Sequence, residues 1–237
     1  MILKALREEV LEANLELVRR GLVVDTFGNA SGVSREKGLV VIKPSGVPYE
    51  KLRSIDMVIT DLDGKPVEGK LRPSSDLATH AILYKNFPGI GGIAHTHSRN
   101  TTIWAQAKKE IPCLGTTHAD YFRGAVPVTA ELADDEINKD YELNTGVAIL
   151  RRMEGIDPSM MPAALVAGHA PFCWGASPLD AAHNAWMLEE VAQMALATIA
   201  LNPGAKPLSR TLIDKHFLRK HGATAYYGQK LGKSKSK

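Results

Sequence analysis

The stretch Gly91-Gly92-Ile93-Ala94-His95-Thr96-His97-Ser98 constrains the fold more than any other. It reads as a short apolar strand that ends in two histidines. Side chains at i and i+2 of a strand point to one face, with Cα atoms ~6.5–7 Å apart. From there two imidazoles can converge on one metal ion at bond lengths of ~2.1 Å. Gly91 and Gly92 leave room for another backbone to approach closely just before the pair. The alternative is an unconnected pair of strand histidines, one buried and one exposed.

The rest of the chain alternates helical and strand patterns, which gives the class α/β, a central β-sheet flanked by helices. Leu3, Leu6, Val10, Ala13 and Leu17 predict an amphipathic helix over 3–20 that stops at Gly21. Thr26-Phe27-Gly28-Asn29-Ala30-Ser31-Gly32 reads as a small-residue loop. Its free N–H groups suit an anion, and an ordinary turn is the plainer alternative. Leu39–Ile42 predicts a buried strand ending at Lys43-Pro44-Ser45-Gly46, a second place to contact an anion. Residues 56–68 predict a hairpin turning at Asp63-Gly64. Arg72-Pro73-Ser74-Ser75-Asp76 leads into a helix over 76–86, with Ser75 as N-cap. Hydroxyls at a helix N-terminus can also hold a phosphate. Asp76 there either complements the helix dipole or has a role of its own.

Further on, Ile103, Trp104 and Ala107 predict the apolar side of a helix over 99–107. Thr116-Thr117-His118-Ala119-Asp120-Tyr121 is a polar cluster of the kind functional loops carry. A short helix over 131–137 and a strand over 146–150 follow. Ala163–Ala167 reads as a buried strand, with His169 just past its end. Three histidines from two strand ends suit a catalytic metal with an open position. The longest helix, 178–200, has Glu189 and Glu190 facing outward, and a last helix spans 208–220.

With 237 residues, 44% of them apolar, the chain can bury a large core as one domain. Its net charge is +3, but the segment 230–237 carries four lysines, and removing them takes the balance to −1. A basic face for nucleic acid is therefore absent outside that segment, which reads as a disordered tail. Cys113 and Cys173 have no metal-type spacing and read as core residues in a reducing cytoplasm. Neither a secretory signal nor a membrane span is expected.

Taken together, Gly28-Asn29, Lys43-Pro44-Ser45-Gly46, Pro73-Ser74-Ser75-Asp76, His95-Thr96-His97, Thr116-Thr117-His118-Ala119-Asp120 and His169 resemble the class II aldolase/adducin-head family. The likeness covers residues 3–229. The run Asp214–Ala223 followed by Tyr226-Tyr227-Gly228-Gln229 resembles the family's pentulose-phosphate epimerase branch, as does Asp rather than Glu at position 76. The resemblance implies one class II aldolase-like domain over 1–229, assembled as a C4 homotetramer with active sites between subunits. It implies zinc, with manganese or cobalt as substitutes, on His95, His97 and His169, with Asp76 on or near the metal. Gly28, Asn29, Lys43, Ser45, Gly46, Ser74 and Ser75 would bind the substrate and its phosphate. Asp120 and Tyr227 would be the acid/base pair, Tyr227 reaching in from a neighbouring subunit, with Thr116, Glu142 and His216 in support. The implied reaction interconverts L-ribulose 5-phosphate and D-xylulose 5-phosphate by breaking and remaking C3–C4. A class II sugar-phosphate aldolase and a metal-free assembly module like the adducin head are the alternatives. Three retained histidines argue against the last.

Overall fold

The three-and-four spacing of the first apolar residues closes into α1 (Lys4–Arg19) in the computed structural model, which describes residues 2–222, 225 and 226. Val10, Ala13 and Leu17 face inward, and Gly21 takes the positive φ that ends the helix. The strands that follow are β1 (Asn29–Ser34), β2 (Leu39–Ile42), β3 (Val58–Asp61), β4 (Pro66–Glu68) and β5 (Gly92–His95). Near the C-terminus come β6 (Ala163–Leu165) and β7 (Pro171–Gly175). They form one sheet in the order β4-β3-β2-β1-β5-β7-β6, and every pair in it is antiparallel. The strand carrying His95 therefore lies inside the sheet, between β1 and β7.

The remaining helices are α2 (Leu77–Asn86), α3 (Arg99–Gln106), α4 (Thr116–Ala119), α5 (Asp134–Asn138), α6 (Tyr141–Arg152), α7 (Pro178–Leu201) and α8 (Arg210–His221). The long helix α7 packs on β5 and β7 and also touches α1 and α3. Gly92 makes that packing possible. A Cβ there would lie 2.3 Å from the backbone nitrogen of Pro178, so only glycine fits beneath the start of α7. The expected close backbone approach before the histidine pair is thus present. The two cysteines are unpaired and buried in the core.

Several expectations are corrected. The stretch 29–32 is not a loop; Asn29, Ala30, Ser31 and Gly32 are buried strand residues of β1. Residues 146–150 are helix, not strand, because Thr145, Gly146, Ala148 and Ile149 form the buried face of α6, which packs on α2. A short β-branched run does not by itself separate strand from buried helix. The polar cluster at 116–119 is a short helix, α4. In α3 the buried residues are Thr101, Trp104 and Ala105, while Ile103 is 40% exposed. Ser75 does not cap α2; Asp76 holds the N-cap position, and no side chain caps the helix. Strand β7 had no counterpart in the sequence reading. Tyr227 and the lysine-rich segment 230–237 lie outside the described residues.

No helix among the described residues is long and apolar enough to cross a membrane.

His118 in α4 is buried, with Nε2 2.7 Å from the carbonyl of Gly124, which can only accept, so Nε2 carries the hydrogen. Burial pushes its pKa down to about 4, against a mild opposite pull from that carbonyl. The unfolded chain then binds more protons than the folded one between pH 6.5 and 4. Stability should be full above pH 6.5 and fall by up to about 3 kcal/mol as pH drops through that window. Urea unfolding of the metal-free protein at pH 7 and pH 4.5 checks this: His118→Gln should shrink the difference by about 2–3 kcal/mol, the remainder belonging to the other buried histidines, and an unchanged difference refutes the assignment.

Candidate metal centre

Strand register assembles the centre. Asn29 of β1 pairs with His95 of β5, and His95 pairs with Phe172 of β7. His95 is buried, with Nδ1 2.9 Å from the carbonyl oxygen of Pro171. A carbonyl cannot donate, so Nδ1 holds the hydrogen, and Nε2 is the ring position left to face a cation. The ring lies nearly flat on Phe172, with centroids 4.1 Å apart and planes 15° from parallel. Neither Pro171 nor Phe172 was singled out by the sequence, though Pro171-Phe172-Cys173-Trp174 is a visible apolar run directly after His169.

His97 stands two residues on, past the strand end, and its ring centroid is 4.9 Å from that of His95. His169 lies in the turn between β6 and β7, with ring centroids 5.1 Å from His95 and 4.8 Å from His97. One nitrogen from each of the three lies within 4.8 Å of the others. Burial first, and the neighbouring imidazoles second, push the pKa of His169 down to about 4 and lower that of His97. Neutral imidazoles at pH 7 are the form that binds metals. Three converging ring nitrogens, with the hydrogen of His95 directed to Nδ1, are a donor set that fits a divalent ion.

Asp76 stands beside this cluster rather than in it. Its Oδ2 accepts the Asn29 amide at 2.6 Å and faces the Ser74 hydroxyl at 3.4 Å. Burial opposes its ionisation, but His95, His80 and the Asn29 amide together hold the carboxyl below its ordinary range. It is electrostatically coupled to all three histidines. Gly28 adopts φ of 85°, and a Cβ there would come within 3.0 Å of the His95 carbonyl. The Lys43–Gly46 and Arg72–Asp76 segments run side by side: Ser74 N–H donates to the Lys43 carbonyl at 2.9 Å and Ser45 N–H to that of Arg72 at 3.0 Å. Lys43 is buried over the Tyr49 ring, and burial lowers its pKa. Ser45, Gly46 and Ser75 are exposed, and Ser74 is half-buried. Glu142 belongs to α6, next to Tyr141, whose ring is 6.3 Å from that of His169.

Asp120, Thr116 and His216 form a second group. Asp120 follows α4 and is held by α8, taking Arg219 Nε and Nη2 at 3.1 and 2.8 Å and His216 Nδ1 at 3.1 Å. Burial would raise its pKa, but hydrogen bonds from Arg219 and His216 and the Lys220 charge lower it overall. Among the described residues, no hydrogen bond or ring contact joins Asp120 to a histidine of the triad.

Residues 8–196 match the family described as Class II Aldolase and Adducin N-terminal domain. The chain belongs to this family. It is 52% identical over 228 residues to the L-ribulose-5-phosphate 4-epimerase UlaF of Salmonella paratyphi A and to that of Salmonella typhi, covering 96% of this chain and 100% of each relative. Among solved structures, an L-fuculose 1-phosphate aldolase superposes with a TM-score of 0.77 at 25% identity, covering 90% of this chain and 94% of that one. The aldolase of that name from Thermus thermophilus gives 0.67 at 23% identity, over 85% of this chain and 100% of its own. The second likeness speaks for the fold alone. Class II aldolase membership accounts for the single antiparallel sheet flanked by helices.

His97→Asn should leave less than about a tenth of the wild-type divalent metal bound after dialysis, since one of three ligands is gone. Elemental analysis of the dialysed protein reads this directly, and full metal content in the variant would overturn the ligand set.

Proposed function

We propose that the chain is an L-ribulose-5-phosphate 4-epimerase that uses zinc on His95, His97 and His169. The single observation carrying the metal-dependent part is the convergence of three imidazoles, with His95 Nδ1 turned to the Pro171 carbonyl. Likeness to curated epimerases over almost the whole chain supports the substrate. Two unpaired, buried cysteines suit a cytoplasmic setting.

Inversion at C4 of a 2-ketose cannot proceed by enolisation, because the C4 hydrogen is not α to the carbonyl. Breaking C3–C4 solves this. A base takes the C4 hydroxyl proton, the C4–O bond becomes a carbonyl, and the C3–C4 electron pair moves to the C2 carbonyl as an enediolate. A divalent ion on the three histidines supplies Lewis-acid stabilisation for that charge. The aldehyde turns, C3–C4 re-forms on its other face, and an acid returns the proton to the new hydroxyl. Two proton-transfer groups are needed, one for each face. Asp120, kept ionised by Arg219 and His216, enters as the acceptor, and Tyr227 serves the opposite face. Lys43, Ser45, Ser74 and the start of α2 anchor the phosphate while the aldehyde turns. Asn29 and Asp76 border the metal, and Thr116, Glu142 and His216 support the acid/base groups.

The contacts of Asp120 lie with α8, not the triad, which supports a site shared between subunits: the triad of one with Asp120 and Tyr227 of the next. A C4 ring of heterologous contacts provides that arrangement.

Purified protein incubated with L-ribulose 5-phosphate should yield D-xylulose 5-phosphate. Net release of dihydroxyacetone would indicate an aldolase, and no turnover with added zinc a scaffold. Inactive His97→Asn and Asp120→Asn subunits, refolded together at 1:1, should regain activity at roughly a quarter of their sites. No recovery in verified mixed rings refutes the shared site.

A further inference from the structure

Glu189 of α7, which its helical position suggested would face outward, turns onto the N-terminus of α3. Its carboxylate takes four hydrogen bonds there: the N–H and side-chain amide of Asn100, both at 2.8 Å, the N–H of Thr101 at 3.0 Å and the Thr101 hydroxyl at 2.8 Å. Ser98 holds the N-cap position of α3 but makes no capping bond, so a carboxylate from another helix does that work.

The consequences reach the metal centre by two routes. On one side, the Thr101 hydroxyl donates to the carboxylate, which leaves its oxygen to accept from Ser98, and the Ser98 oxygen to accept from Thr96 at 3.1 Å. This hydroxyl chain has one direction because its last member can only accept. It ends on Thr96, the residue between His95 and His97. On the other side, the carbonyl of Ala105 in α3 accepts the N–H of Gly168 at 2.9 Å, next to His169. Trp104 further ties α3 to α7, its Nε1 donating to the Ala192 carbonyl at 3.1 Å. The short helix α3 is therefore the frame between two of the three histidines, and Glu189 is what fixes its near end.

We infer that Glu189 is a positioning residue for the metal centre, setting His97 through the Thr101–Ser98–Thr96 hydroxyl chain and His169 through α3. It touches neither metal nor substrate. The inference rests on the reading of His95, His97 and His169 as metal ligands.

The test compares zinc affinity, by chelator competition, in the wild type, Glu189→Gln, Thr101→Val and Ser209→Ala. Glu189→Gln puts an amide where four donors need an acceptor. Thr101→Val removes one donor and leaves the carboxylate in place. Ser209→Ala deletes an ordinary helix cap, the bond from Leu212 N–H to Ser209 Oγ at the start of α8, and serves as a control for general destabilisation. Glu189→Gln should bind zinc up to about 10-fold more weakly than the wild type, the low end for lost outer partners because Glu189 acts through intervening hydroxyls rather than on a ligand. Thr101→Val should shift in the same direction by less, and Ser209→Ala should stay within about twofold. Cobalt-loaded Glu189→Gln should also show an altered visible d–d spectrum. If neither Glu189→Gln nor Thr101→Val weakens zinc binding beyond the Ser209→Ala control, the inference is overturned while the ligand set stands. If the wild type itself binds no zinc, both fall.

Discussion

The row Asn29–His95–Phe172 across β1, β5 and β7 is the constraint on which the site depends. Register in an antiparallel sheet is all-or-none: a slip of one residue would send every side chain of a strand to the opposite face. Here the register puts the Asn29 amide, the His95 imidazole and an aromatic platform next to one another. It also puts the Pro171 carbonyl where it fixes the His95 tautomer. Because β5 lies inside the sheet, His95 has little freedom to move. His97 and His169 sit on connecting backbone, outside the strands, and must be fixed by other means. One histidine of the triad is thus positioned by the sheet and two by the segments around α3.

The candidate residues fall into two groups that no hydrogen bond or ring contact joins among the described residues. The first surrounds the three histidines and includes Asp76, Asn29 and the paired segments 43–46 and 72–76. The second is the Asp120 cluster on α8. A carboxylate held by Arg219 through two nitrogens and by His216 is stable as an anion and has no need of a metal nearby. In the proposed shared site the two groups meet only on assembly.

What the sequence makes legible follows from local pattern. His95 and His97 are readable because a strand's period of two fixes relative direction, and Gly92 because an approaching backbone excludes a Cβ. His169 is readable only as a strand-end histidine that gains meaning from the other two. The family motifs carry the remaining residues, and these include Asp120, whose contact with α8 spans about a hundred positions and leaves no periodic trace. The failures are equally physical. Val147, Ala148, Ile149 and Leu150 look like a strand because four apolar residues do not reveal their period, and α6 declares itself only when Thr145 and Gly146 are seen buried as well. Ser75 loses the cap position because the chain enters α2 one residue later, at Asp76, whose carboxylate is drawn to Asn29 instead.

Glu189 shows why polar residues of a long helix are the hardest to read. Hydrophobic periodicity separates a buried face from a polar one, but it does not say whether the polar face meets water or another helix's N-terminus. A carboxylate in water gains little by position. The same carboxylate against four donors at a helix start complements the dipole and satisfies N–H groups that would otherwise lack partners. The two situations have the same local sequence and opposite consequences for neighbouring residues. In this fold the difference matters because α3 has only eight residues, too few to hold its own geometry, with a histidine of the triad beyond each end. A short helix in that position needs an external anchor, and the end nearer His97 is where an anion is best received.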